Sequence, residues 1–105
     1  GRLKYTAAIM QRSVTTNSFN EEIAEYSTVF ATAKADLRDV KAEERYMSKH
    51  LNTIITKKII IRYMDGITPD MRIVIDGVSY EIEPPMDTLG NKRTLEIMAT
   101  EVING

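Results

Sequence analysis

Apolar side chains recur at every second position through most of this chain, and that period is the strongest limit on its fold. Leu3, Tyr5, Ala7 and Ile9 share one parity, with Lys4, Thr6 and Ala8 between them. Alternate residues of an extended chain point to opposite faces, so the pattern predicts a strand with one inward face, ending near Arg12. Residues 13–20 are polar and turn-rich and read as a loop, and residues 21–25 as one short helical turn or more of that loop. From Tyr26 to Leu37 the odd positions Val29, Ala31, Ala33, Ala35 and Leu37 are apolar, predicting a second, long strand lined with small residues. Phe30 breaks its alternation and marks either a surface aromatic or a bulge.

Strand signals return at Thr53. Ile59, Ile61 and Tyr63 share a face, and the run Ile59-Ile60-Ile61 is β-branched throughout. Residues 65–70 turn the chain, and Met71, Ile73 and Ile75 form the next strand. Asp76-Gly77 stands between two alternating runs, the strongest short hairpin signal here. Val78, Tyr80 and Ile82 come back with Ser79, Glu81 and Glu83 on the other face, until Pro84-Pro85 stops the strand. Leu95, Ile97 and Ala99 make the last strand. Six strands joined by short turns predict a mainly β chain, a small antiparallel barrel or sandwich.

One segment departs from the period. Asp39 is a helix-capping residue, and Glu43 and Glu44 follow early enough to favour the positive end of a helix dipole. The expected helix covers residues 40–51. Val40, Met47 and Leu51 give it only a thin apolar stripe beside Tyr46, with Lys41, Glu43, Glu44, Arg45 and Lys49 around the rest. Such a helix either lies solvated over one end of the β domain or serves an interface. In the second reading Tyr46, Met47 and Leu51 touch a neighbouring subunit, and the charged residues make intersubunit ion pairs or line a channel.

Composition excludes much chemistry. At 105 residues the chain is expected to form one domain over its whole length, 1–105. With no Cys there is no disulfide, thiolate nucleophile, zinc ribbon or iron–sulfur cluster, and with one His no multi-histidine metal site. A net charge of -1 argues against broad electrostatic binding of nucleic acid. No apolar run approaches the ~20 residues that span a bilayer, no signal-like stretch follows the first residues, and Gly1 in place of Met reads as a tag remnant. The expectation is a soluble protein made inside the cell, with no cofactor, no metal and no enzymatic activity.

The remaining candidates read as structure. His50 near the end of the expected helix has no nucleophile motif to serve and reads as a surface residue. Glu81 and Glu83, a glycosidase-like pair by spacing, fall on the solvent side of a half-buried strand. Asp65-Gly66 and Asp76-Gly77 lack the further ligands of a calcium loop and read as turns. The segment Leu89-Gly90-Asn91-Lys92-Arg93 opens a strand rather than a helix and is no phosphate cradle. Lys57, Lys58, Arg62 and Arg72 offer a small basic patch of the kind an oligonucleotide-binding barrel uses, but Glu81, Glu83 and Glu96 are expected nearby and oppose it.

The C-terminal half carries a specific pattern: Ile59-Ile60-Ile61-Arg62-Tyr63, then Gly66-Ile67-Thr68-Pro69-Asp70-Met71-Arg72-Ile73, then Asp76-Gly77-Val78-Ser79-Tyr80-Glu81-Ile82. This resembles the head-tail joining proteins of tailed bacteriophages, also described as head completion, stopper or head-tail adaptor proteins. The opening strand ending in Gln11-Arg12 and the closing Leu95-Glu96-Ile97 are similar to theirs, and Phe30-Ala31 stands where that family usually has Trp-Ala. The resemblance implies a small six-stranded antiparallel β-barrel with one insertion between strands 2 and 3, here the helical segment at about 39–51. It also implies a non-enzymatic homo-oligomeric ring between the portal side of a phage or prophage head and the tail. Such a ring retains packaged double-stranded DNA without sequence-specific binding and meets portal-side adaptor and tail-completion proteins. It assembles in the bacterial cytoplasm and has no membrane partner. Asp39, Lys41, Glu43, Glu44, Arg45, Tyr46, Met47, Lys49 and Leu51 are then expected to face the ring interface or channel. The rival expectation is an oligonucleotide-binding or SH3-like barrel that binds nucleic acid or protein.

Overall fold

A computed structural model describes residues 3–103, with strands at β1 Tyr5–Thr16, β2 Glu22–Asp39, β3 Met47–Ser48, β4 Thr53–Ile54, β5 Lys57–Arg62, β6 Arg72–Ile75, β7 Val78–Ile82 and β8 Thr94–Glu101. Six of them pair in the order β1-β2-β5-β8-β7-β6, and β6 returns to β1, closing the sheet as a barrel. Every pairing is antiparallel. Closure leaves these strands no unpaired edge within the barrel.

The alternating runs explain the interior. Ala7 and Ile9 of β1, Ile59 and Ile61 of β5, Ile73 and Ile75 of β6, Tyr80 and Ile82 of β7, and Leu95, Ile97 and Ala99 of β8 form one buried cluster. Each strand contributes alternate residues, as a two-faced strand with one side inward must. β2 contributes Ala35, with Ala31, Ala33 and Leu37 packed half-buried against the same cluster. Its small side chains suit a narrow barrel filled mainly by isoleucine.

Phe30 marks a bulge. Ile9 faces Ala31 while Met10 faces Val29, so β2 carries one residue more than β1 at Phe30. The ring then sits over Gly66, where an added Cβ would lie 2.7 Å from Phe30 Cζ. Gly66 has φ +98, a conformation that side chains rarely adopt. Glycine is therefore required there by both backbone and space.

The two early boundaries differ from expectation. β1 continues to Thr16 and β2 begins at Glu22, so the loop expected at 13–20 and the possible helical turn at 21–25 are mostly one β-hairpin. Polar strand residues carry no alternation signal when neither face is buried, which is why this extension escapes a hydrophobic pattern. β1 pairs with β6 only over residues 7–10, and β2 with β5 only over 35–39. Residues 11–16 and 22–29 consequently form a two-stranded arm outside the barrel, roughly 20 Å long at about 3.3 Å per residue. The molecule measures 47 × 30 × 25 Å.

The expected helix at 40–51 does not form. The segment holds a single 3₁₀ turn, Ala42–Glu44, and the short β3–β4 hairpin. A helix would bury one thin stripe, whereas the extended path buries both Val40 and Ile55 with Met98 and packs Leu51 beside them. The β-branched pair Ile54-Ile55 favours that path, and the Ile55 amide donates to the Tyr46 carbonyl at 2.9 Å.

Candidate interaction surfaces

Two extensions leave the barrel: the insertion between β2 and β5, and the β1–β2 arm. The insertion is anchored at both ends. Val40 N–H donates to the Thr56 carbonyl at 2.9 Å, and Arg45 Nε to the Val40 carbonyl at 3.0 Å. Lys57 Nζ bonds the Asp39 carboxylate, which holds Asp39 below the usual carboxylate range and Lys57 above the usual ammonium range. Asp39 thus closes β2 rather than capping a helix. Ser48, buried, accepts the Leu51 amide at 3.0 Å on its hydroxyl and the Asn52 amide at 2.7 Å on its carbonyl, fixing the tip of the small hairpin.

Tyr46 pins the insertion to the barrel wall by donating its hydroxyl to Glu83. Burial first, and then the adjacent carboxylate, push this phenol up to about 12. A folded pKa above the unfolded one means the contribution is fully present below the ordinary tyrosine value of 10.0 and fades as pH rises through about 12. Phenolate absorbance should therefore show one tyrosine ionising near 12. Tyr46→Phe is expected to remove that phase, and its survival would assign it to another ring.

The structure brings the nine residues expected to serve an interface into one segment but not onto one face of a helix. Lys41, Glu43, Glu44, Arg45, Tyr46, Met47 and Lys49 are exposed, and Leu51 is half-buried in the small cluster with Val40 and Ile55. Met47, at 56% exposure, is the most open large apolar side chain of the insertion.

Lys57, Lys58, Arg62 and Arg72 form no joint basic patch, and two of the carboxylates expected to oppose them, Glu81 and Glu96, do so. Lys57 is bound to Asp39, and Lys58 lies 3.4 Å from Glu96. Arg72 lies 3.7 Å from Glu81 and 4.1 Å above the Tyr26 ring. Each cation is answered across the strand pairing. Arg62 instead joins Arg38, Lys92 and Arg93 around a groove of about 880 Å³ on the outer wall formed by β2, β5 and β8. Lys92 and Arg93 lie on a loop, where strand patterning gives no spatial information.

Glu81 and Glu83 take up structural partners, Arg72 and Tyr46. His50 lines a shallow cleft with Arg12, Tyr26, Asp70, Arg72 and Glu81. Among the described residues no group of three or more His, Cys, Asp or Glu is placed to hold a metal ion. No helix of the described residues is long and apolar enough to cross a membrane.

The arm is the feature that the sequence pattern missed. Its turn is built by Asn17, whose Oδ1 accepts the amides of Phe19 at 2.8 Å and Glu21 at 3.0 Å. Asn20 at φ 62 completes the reversal, and Phe19 stands at the tip with 80% of its surface exposed. The only available signal was Asn17-Ser18-Phe19-Asn20 itself, a turn-forming sequence around a lone aromatic.

Known proteins share this fold. Protein SF1141 of Shigella flexneri 2a, known from a solution structure, is 25% identical, with a TM-score of 0.74 over 100% of this chain and 97% of that one. A chain from the virion of a native gene transfer agent particle has a TM-score of 0.68 at 10% identity, covering 99% of each chain. No curated protein matches the sequence. The family described as phage head completion protein matches residues 1–102, which takes in the barrel, the insertion and the arm alike. The closed six-stranded sheet and its two extensions thus fall within one family match, and this chain belongs to the phage head completion protein family.

Proposed function

We propose that this chain is a head-tail connector subunit of a tailed bacteriophage or prophage. Copies form a homo-oligomeric ring between the portal side of the head and the tail, which retains packaged DNA and admits the tail. Membership of the head completion family over residues 1–102 is the observation that carries the reading. The charge pattern supports it. A conduit for double-stranded DNA gains nothing from a surplus of cations, because each neutralised phosphate adds affinity that would slow passage. The chain carries 14 Lys+Arg against 15 Asp+Glu, and much of its strand charge is internally paired.

In this reading the ring performs no catalysis and binds DNA without regard to sequence. Asp39, Lys41, Glu43, Glu44, Arg45, Tyr46, Met47, Lys49 and Leu51 belong to an insertion that faces the neighbouring subunit or the channel. Portal-side and tail-completion proteins meet the loops at the two barrel ends. Assembly takes place in the bacterial cytoplasm, and the subunit ends in the virion.

Particle imaging of a knockout tests this. Filled heads that lose DNA or fail to join tails are expected, and normal virions would end the reading. Tight, salt-sensitive oligonucleotide binding by the isolated chain would instead favour the rival barrel-type binding module.

A further inference from the structure

We infer that the β1–β2 arm of one copy docks in the basic groove of a second copy. The inference rests on the ring reading and supplies its subunit contact. The two surfaces are complementary in charge. Glu21, Glu22 and Glu25 lie on the arm with Arg12 as its one cation, and no ion pair engages the three carboxylates among the described residues. Around the groove, Arg62, Lys92 and Arg93 are equally without an ion pair among the described residues, while Arg38 bonds Asp36 at 2.7 Å.

Apolar character matches as well. Phe19 at the arm's tip is 80% exposed, and Val14 and Ile23 stand open behind it. The groove offers Leu3, Ile60 and Tyr63 between its cations. A phenylalanine flanked by carboxylates suits an apolar floor rimmed by guanidinium groups. A duplex suits it less: Asp36 and Glu96 reduce the groove's net positive field, and a backbone of phosphates has nothing like Phe19 to set against the apolar floor.

The arm and groove lie on different parts of the surface, so each copy gives with one and receives with the other. That contact is heterologous, and repetition closes a ring or runs on as a filament. An arm joined to its own barrel at the root and through the Tyr26 ring beneath Arg72 still reaches outward at little cost to the core, since the other residues of 11–16 and 22–29 are exposed.

The chain contains no Cys, so a cross-link reports only introduced pairs. Particles and concentrated protein carrying a mixture of Phe19→Cys and Lys92→Cys chains are oxidised mildly. The mixed 19–92 dimer is expected to exceed both like pairs and a Phe19→Cys with Glu101→Cys control. Glu21→Lys with Glu22→Lys on one chain, or Arg62→Glu with Arg93→Glu on the other, should lower it about tenfold, and the two reversals together should restore it. Circular dichroism checks that these exposed substitutions leave the barrel folded.

Rings imaged in particles that give no 19–92 dimer would overturn the docking and leave the ring reading standing. Particles with a single copy at the connector would overturn both. Loss of salt-sensitive duplex binding in the groove variant, with 19–92 cross-linking unchanged by the reversals, would overturn the docking and assign the groove to DNA.

Discussion

Ile59→Ala is expected to lower the stability of the chain by about 2–5 kcal/mol, a large share of the roughly 5–15 kcal/mol that a small domain has. Ile59 is completely buried in the barrel interior. It pairs with Leu37 of β2 on one side and Ile97 of β8 on the other. Truncation removes apolar area and leaves a cavity that neighbouring strands cannot fill, because the closed hydrogen-bond ring holds them apart. The urea midpoint should fall with an unchanged slope, and the melting temperature should drop by roughly 10–30 °C. A drop under 1 kcal/mol would mean that the barrel relaxes around the void and that closure is weaker than its pairing implies.

Ile55→Ala is expected to act mainly on the insertion. Ile55 is equally buried, but its cluster is the small one with Val40, Met98 and Leu51. Of these only Met98 belongs to a barrel strand, β8. Besides internal bonds such as Val40 to Thr56 and Ile55 to Tyr46, the 40–56 segment is tied to the barrel by few bonds, chiefly Thr56 to Ala99 and Tyr46 to Glu83. Its opening free energy is thus below that of global unfolding. The substitution should release that segment at a cost of about 2–5 kcal/mol to the local equilibrium, with a smaller shift in the global urea midpoint. Hydrogen exchange reads the difference. The Val40, Asn52 and Ile55 amides should lose protection while those of Ile59 and Ile97 keep theirs. Equal loss in both sets would show insertion and barrel to be one cooperative unit.

These two isoleucines stand four positions apart in sequence. Both lie in apolar, β-branched surroundings, and the pattern alone does not separate them. Their consequences differ because one belongs to the closed ring and the other to a flap laid over its end. The same limit explains the insertion. Asp39 and the following glutamates satisfied the local rules for a helix start, yet tertiary burial of Val40 and Ile55 and the Lys57 ion pair outweighed that weak preference. Opposition of the basic residues by Glu81 and Glu96 was legible from alternation, whereas the pairing of Lys57 with Asp39 depends on a strand register that the sequence does not print.

What the amino-acid sequence determined by itself is the β architecture and its interior. Inward residues such as Ile9, Ile73, Tyr80, Ile82, Leu95 and Ile97 follow from alternation, because burying one face of a strand leaves a period of two in the residues. The Asp76-Gly77 reversal follows from turn chemistry, with Asp76 at φ 51 and Gly77 at φ 79. The family resemblance also came from residues. Only the tertiary structure decided the surface: the arm at 11–29, the groove around Arg62 and Arg93, and the path of 40–56. Polar strands exposed on both faces have no hydrophobic period, and a groove draws its cations from separate strands and loops. Surface function here depends on which strands become neighbours, and that is settled only when the ring closes.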